Sequence, residues 1–281
     1  MSPRVSWCVP ALLAVLLLVA WAAQAAEGGS QLPASEETAK ERLDHSPRHG
    51  EFVNVDVSGT PVRVWVVYPE SKDKAPVVVV IHEIFGLTDW IRAVADQLAA
   101  DGFIAVAPDL LSGKGANGGG TETFPSRDDA VKAVSALPRD EVVTRLNAVR
   151  TYALSLPAAN GKSASAGFCW GGSTSFAYAV AQPVLDAAVV YYGTAPDDLE
   201  ALAAVKAPVL GLYGGSDARV DATLDATQAA MQAKGKSYER HVFDGAGHGF
   251  LRAQSGQDGA NLRAAQEAWP LTLVFLRKHT Q

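Results

Sequence analysis

Cysteine is scarce in this chain, with Cys8 and Cys169 the only two among 281 residues. At most one disulfide can form, which excludes a small fold stapled by bridges. Basic charge is also in short supply. The 24 lysines and arginines are outnumbered by 30 acidic residues, and the net charge of −6 argues against a nucleic-acid partner, which needs a basic face. No cluster of His, Cys and carboxylates has ligand spacing, so neither a metal nor an organic cofactor is expected. Internal repeats are absent. No apolar run reaches the roughly 20 residues that cross a bilayer core as a helix. What is abundant is apolar: 48% hydrophobic residues against 19% charged ones give enough material for a sizeable core and exclude a disordered chain.

The longest apolar run, Val9 to Ala23, comes after a single positive charge at Arg4 and ends at Ala23-Gln24-Ala25, the small-x-small pattern that a signal peptidase reads. Residues 1–26 are therefore expected to be a signal peptide cleaved after Ala25 or Ala26, with an uncleaved anchor as the alternative. Residues 27–50 are polar, lack apolar periodicity and read as a leader. The expected destination is the periplasm or the extracellular medium, with no stable membrane insertion after cleavage. Cys8 leaves with the signal, and Cys169 becomes an unpaired thiol in an exported protein, which raises the question of what it does.

From Glu51 to the C-terminus, strand and helix patterns alternate. Phe52 to Val57 and Val62 to Tyr68 each alternate apolar and polar residues about the turn Ser58-Gly59-Thr60-Pro61, predicting an antiparallel hairpin at a sheet edge. Val77-Val78-Val79-Val80-Ile81 is continuously β-branched, as a strand covered on both faces should be. Further strands are predicted at Phe103–Ala107, Ser163–Phe168, Ala187–Tyr192, Pro208–Tyr213 and Tyr238–Phe243. Helices are predicted at Trp90–Ala100, Arg139–Leu156, Ala222–Ala233 and Ala260–Lys278. The alternation implies a single α/β domain over 51–281, with a mostly parallel central sheet and helices on both faces.

One motif misleads. Gly113-Lys114-Gly115-Ala116-Asn117-Gly118 matches a dinucleotide-binding pattern, but no helix opens there and Pro125 follows soon after. The stretch Gly113 to Thr123 reads instead as a mobile loop near a pocket mouth.

Chemistry concentrates elsewhere. Gly167-Phe168-Cys169-Trp170-Gly171-Gly172 lies between a predicted strand and an apolar segment able to start a helix. This is the nucleophile-elbow arrangement with cysteine in place of serine. The glycines are needed because a Cβ on either flank of so tight a turn would collide with neighbouring elements. A thiol presented at a helix N-terminus is favoured as thiolate, the reactive form. Downstream, Asp217 follows one predicted strand and His248 another. This gives the order nucleophile, acid, histidine of α/β-hydrolases, with each residue at the carboxyl end of a strand. His45, His49, His241 and His279 lack that placement. Oxyanion donors are expected at the backbone N–H of Trp170 and of Ile84.

Taken together, His82-Glu83-Ile84-Phe85-Gly86, Ala107-Pro108-Asp109-Leu110, the Cys169 elbow, Tyr191-Tyr192-Gly193 and Ala246-Gly247-His248-Gly249-Phe250 resemble the dienelactone hydrolase (carboxymethylenebutenolidase) family over about Glu51 to the C-terminus. The resemblance implies the α/β-hydrolase fold. It also implies a role for Glu83 as acceptor of the thiol proton when substrate arrives, with Cys169 then swinging toward His248. Arg252 matches one of the two arginines that hold the substrate carboxylate in this family, and Phe85 and Tyr192 stand where the substrate site is expected. The second arginine is missing after Pro108-Asp109-Leu110, leaving Lys114 or Arg127 as stand-ins and the dienelactone substrate itself open. The expected activity is cleavage of a small ester or lactone through a Cys-His-Asp triad and an acyl-enzyme. The alternatives are a related acyl hydrolase on aryl esters or thioesters, and a non-catalytic binding module on the same fold.

Overall fold

Side chains on the run Ala75–Ile81 alternate between two hydrophobic cores, which explains why every position in it is apolar. In the computed structural model this segment is strand β3, and all seven of its residues are buried. Val78 and Val80 point into one core while Val77, Val79 and Ile81 point into the other. The structure describes residues 31–281, of which Leu32–Gln281 form a compact unit.

The remaining strands are β1 (Gly50–Val57), β2 (Thr60–Val67), β4 (Ile104–Pro108), β5 (Ala159–Phe168), β6 (Ala187–Tyr191), β7 (Val209–Gly214) and β8 (Tyr238–Phe243). They join in one eight-stranded sheet of order β1-β2-β4-β3-β5-β6-β7-β8. The β1–β2 hairpin is antiparallel, β2 runs antiparallel to β4, and every pairing beyond that is parallel. Ser58 and Gly59 both have positive φ, as the two central residues of a tight hairpin turn require.

The helices are α1 (Ala39–Asp44), α2 (Asp89–Ala100), α3 (Arg127–Ser135), α4 (Arg139–Ser155), α5 (Trp170–Ala181), α6 (Ala218–Ala233) and α7 (Ala260–Thr280). Residues of α2 and α7 fill the core on one sheet face, and residues of α4, α5 and α6 fill the core on the other. The predicted strands and long helices are all present, with ends shifted by a few residues.

Two expectations need correction. The segment read as a leader is part of the fold from Leu32 onward. Ala34 and Ala39 are 2% and 1% exposed, Trp90 Nε1 donates to the Ala34 carbonyl at 3.0 Å, and Arg48 Nη2 pairs with Asp96 at 2.6 Å. Its sequence shows no periodicity because the short helix α1 buries only Ala39, and the rest is fixed by carbonyls and charges. The loop Gly113–Thr123 is pinned rather than loose. Asp109 accepts from the Thr121 backbone and hydroxyl, both at 2.7 Å, and Thr121 Oγ1 accepts from Leu87 N–H at 3.0 Å. The signal-peptide reading of Met1–Ala26 lies outside the described residues.

Candidate active site

At the end of β5 the chain turns so tightly that Cys169 takes φ 57° and ψ −117°, a strained conformation for any residue with a Cβ. The neighbouring glycines make the turn possible. A Cβ on Gly167 would lie 1.8 Å from the Gly171 carbonyl oxygen, and one on Gly171 would lie 2.2 Å from that of Ile81. The Cys169 N–H donates to the Tyr191 carbonyl at 3.1 Å, and α5 begins at the next residue.

Strands β7 and β8 deliver the other two groups. Asp217 caps the turn after β7, where its N–H donates to the Gly214 carbonyl at 2.9 Å, and it is 7% exposed. His248 lies on the loop after β8. Its Nδ1 is 2.5 Å from Asp217 Oδ2 and its Nε2 is 3.1 Å from Cys169 Sγ. A carboxylate only accepts, so the ring proton belongs on Nδ1 and Nε2 is free to take the thiol proton. The Tyr192 ring stands edge-on to the imidazole at 5.2 Å and is fully buried, so it packs against His248 from within the core. Its hydroxyl has no hydrogen-bond partner in the structure.

Burial pushes the Cys169 thiol upward, and the charge of Glu83 pushes it further. The backbone N–H groups of Trp170 and Ile84 act in the opposite direction, favouring the thiolate. The two predicted oxyanion donors therefore both act on the sulfur. Ile84 owes its place to His82, which is fully buried. Its Nδ1 donates to the Glu83 carbonyl at 2.7 Å, its Nε2 accepts from Leu110 N–H at 3.3 Å, and its ring stacks on Trp170. With one nitrogen donating and the other accepting, this imidazole is neutral, and burial lowers its proton affinity accordingly.

Glu83 is 2% exposed, and burial raises its carboxyl to about 7. Arg252 and Arg127 hold it back, while Glu36 pushes it up. Arg252 Nε lies 2.8 Å from Glu83 Oε2, but the N–H is not aimed at that oxygen, so the contact is one of charge without hydrogen-bond geometry.

The cations sort out clearly. Arg252 reaches the site, where its guanidinium sits 5.4 Å from the Phe85 ring centre and pairs with Glu36. Arg127 stacks over the same ring at 3.6 Å and lies 3.2 Å from Glu36. Lys114 does not join them. It pairs with Glu141 on α4 at 2.9 Å, beside the Arg145–Glu141 pair at 2.7 Å. Of the two stand-ins for the missing arginine, Arg127 is the one beside the site. Glu36 was not legible in the sequence, since it belongs to an acidic pair in a polar stretch with no motif around it. Trp170 also lines a cleft of about 300 Å³ with Leu137, Val142, Ser173, Thr174 and Thr194, a lining that includes neither Cys169 nor His248.

Known proteins resemble the chain in sequence and in fold. The family model described as "Dienelactone hydrolase family" matches residues 62–280. The carboxymethylenebutenolidase of Pseudomonas putida is 34% identical, over 66% of this chain and 79% of that protein. A Methylorubrum extorquens relative named "Putative carboxymethylenebutenolidase" is 33% identical, over 74% of this chain and 76% of its own. Among solved structures, a Klebsiella pneumoniae "Putative Dienelactone Hydrolase" superposes with a TM-score of 0.72 at 26% identity, covering 82% of this chain and 98% of that one. A sheet of this order carrying an elbow at β5, with the family match running over residues 62–280, establishes that the chain is a hydrolase of the α/β-hydrolase fold and belongs to the dienelactone hydrolase family.

Proposed function

We propose that the protein hydrolyses a small ester or lactone through Cys169, His248 and Asp217 by way of a thioester acyl-enzyme. The observation that carries this reading is the unbroken relay from Asp217 Oδ2 through the His248 imidazole to Cys169 Sγ. As substrate enters, the thiol proton passes to Glu83, whose affinity near 7 suits a general base at neutral pH. The sulfur beside His248 holds the position that the swing implied by the family resemblance leads to once the proton has left. Sulfur attacks the carbonyl carbon, and the N–H groups of Trp170 and Ile84 hold the oxyanion. Collapse then breaks the acyl–oxygen bond, and the departing oxygen takes the proton that Glu83 received, which returns Glu83 to its carboxylate form. In the second half His248 Nε2 draws a proton from water, which attacks the thioester and frees the thiol. Asp217 keeps the imidazole in the tautomer that both halves need.

Export through a cleaved signal peptide belongs to the same proposal and is supported by the sequence pattern of residues 1–26.

The test is hydrolysis of p-nitrophenyl acetate and of a dienelactone by the protein beside its folded Cys169→Ala variant. A loss of at least about 10³ in kcat/KM is expected, as for other residues that act as one nucleophilic unit. Equal rates in both proteins would remove Cys169 as the nucleophile. No turnover in either, together with a Cys169 inert to iodoacetamide, would favour a binding module. The preferred compound separates a lactonase from an aryl esterase or thioesterase.

A further inference from the structure

The two guanidinium groups that act on Glu83 already hold a carboxylate, and it comes from the protein itself. Glu36 spans them with one oxygen on each: Oε1 lies 3.2 Å from Arg127 Nη2, and Oε2 accepts from Arg252 Nη1. Both cations flank Phe85, on the loop that also carries Glu83 and Ile84.

The segment bearing Glu36 is fastened at several points. The Glu36 N–H donates to the Arg252 carbonyl at 2.9 Å, and Gln254 Nε2 donates to the Pro33 carbonyl at 2.9 Å. Trp90 Nε1 holds the Ala34 carbonyl at 3.0 Å, and Ser255 Oγ holds Glu37 at 3.3 Å. Pro33 to Glu37 is thus laid against the His248 loop and α2, with Ala34 buried at 2% exposure.

We propose that Glu36 is a specificity determinant: it occupies the seat in which the arginine pair would hold a substrate carboxylate, and so reserves the site for esters and lactones without a negative charge near the scissile bond. This inference rests on the hydrolase reading above and narrows its substrate class. Two physical arguments support it. First, Arg252 and Arg127 both already pair with Glu36, and Arg252 also lies against Glu83, so an incoming anion meets cations whose charge is largely compensated and is repelled by Glu36. Second, a tethered carboxylate competes at an effective concentration of about millimolar or more, so an external one must displace a partner that never leaves. The seat itself stays open to solvent, with the Glu36 and Arg127 side chains 41% and 52% exposed. An external carboxylate can therefore reach it once the Glu36 charge is gone.

The experiment compares wild type with Glu36→Gln, which keeps the shape and removes the charge. Binding of glutarate is measured by titration calorimetry, and the ratio of kcat/KM for mono-p-nitrophenyl glutarate to that for p-nitrophenyl butyrate is measured alongside. Wild type is expected to bind glutarate no tighter than about 5 mM. The variant is expected to bind it at least about tenfold tighter and to raise the ratio of anionic to neutral ester by about tenfold. A pair that merely ties down the N-terminal segment predicts a lower unfolding midpoint with both readings unchanged, and that result overturns the proposal. Glutarate binding by wild type well below 5 mM overturns it as well, even if the variant fails to fold. Because glutarate binding requires no turnover, it decides the role of Glu36 even if Cys169 proves not to be the nucleophile.

Discussion

Glu83 has a proton affinity near 7, well above the usual carboxylate value of 4.5, chiefly because it is buried. A carboxyl whose folded-state value is raised favours folding when protonated. Its contribution is fully present below the unfolded value and is lost as pH climbs through the folded one. A tenfold change in proton affinity is worth about 1.4 kcal/mol, so wild type should lose about 2 kcal/mol between pH 5 and pH 8 relative to Glu83→Gln, which cannot ionise. Urea unfolding of both proteins at the two pH values reads this difference, and a constant gap would mean that Glu83 is ionised throughout. The same residue should place a rising limb near pH 7 in kcat/KM. Glu83→Gln should abolish that limb and cost about 10² or more in rate. If the variant keeps its activity, His248 takes the thiol proton directly. Legibility differed sharply among these residues. Cys169, Asp217 and His248 were readable because chain order and strand ends constrain them. Glu36 was not, because its partners Arg127 and Arg252 lie far along the chain and its local sequence carries no sign of them.

The elbow between β5 and α5 is an element whose sequence and geometry agree at each position. Gly171 sits where a Cβ would meet the carbonyl oxygens of Ile81 and His82 at 2.2 and 2.3 Å, backbone atoms of the strand and loop that position Glu83. Backbone cannot yield as a flexible side chain does, so Gly171→Ala should destabilise the fold by about 3 kcal/mol or more, read from the urea midpoint. Any folded fraction should react more slowly with iodoacetamide, since the Ile84 N–H that favours the thiolate shifts with the displaced loop. Elements with strong periodicity were legible for the same reason that they are stable. The β3 run reads as a two-faced strand because it feeds two cores. Helix α3 carries no legible period in the sequence because only Ala130 and Val134 are buried on it.

At the scale of the whole molecule, the eight-stranded sheet is covered on both faces and, among the described residues, is stable without a disulfide, which bears on the proposed export. Secreted proteins often depend on bridges. This one has a single thiol among its described residues, Cys169, and that thiol sits at the candidate active site next to His248. If the signal is cleaved, the chain enters an oxidising compartment with its candidate nucleophile as its only sulfhydryl, where the risks are a mixed disulfide or sulfenic acid rather than a wrong internal pairing. Burial and the nearby Glu83 charge both hold the thiol in its protonated, less reactive form at rest. Expression of the full chain in a bacterium should yield protein in the periplasmic fraction or the medium whose intact mass begins at Ala26 or Glu27. Its unfolding midpoint should be the same with and without reductant. A mass that retains Met1 in the membrane fraction would show an uncleaved anchor. A midpoint lowered by reductant would reveal an intermolecular bridge through Cys169, which could form only by taking the candidate nucleophile out of use.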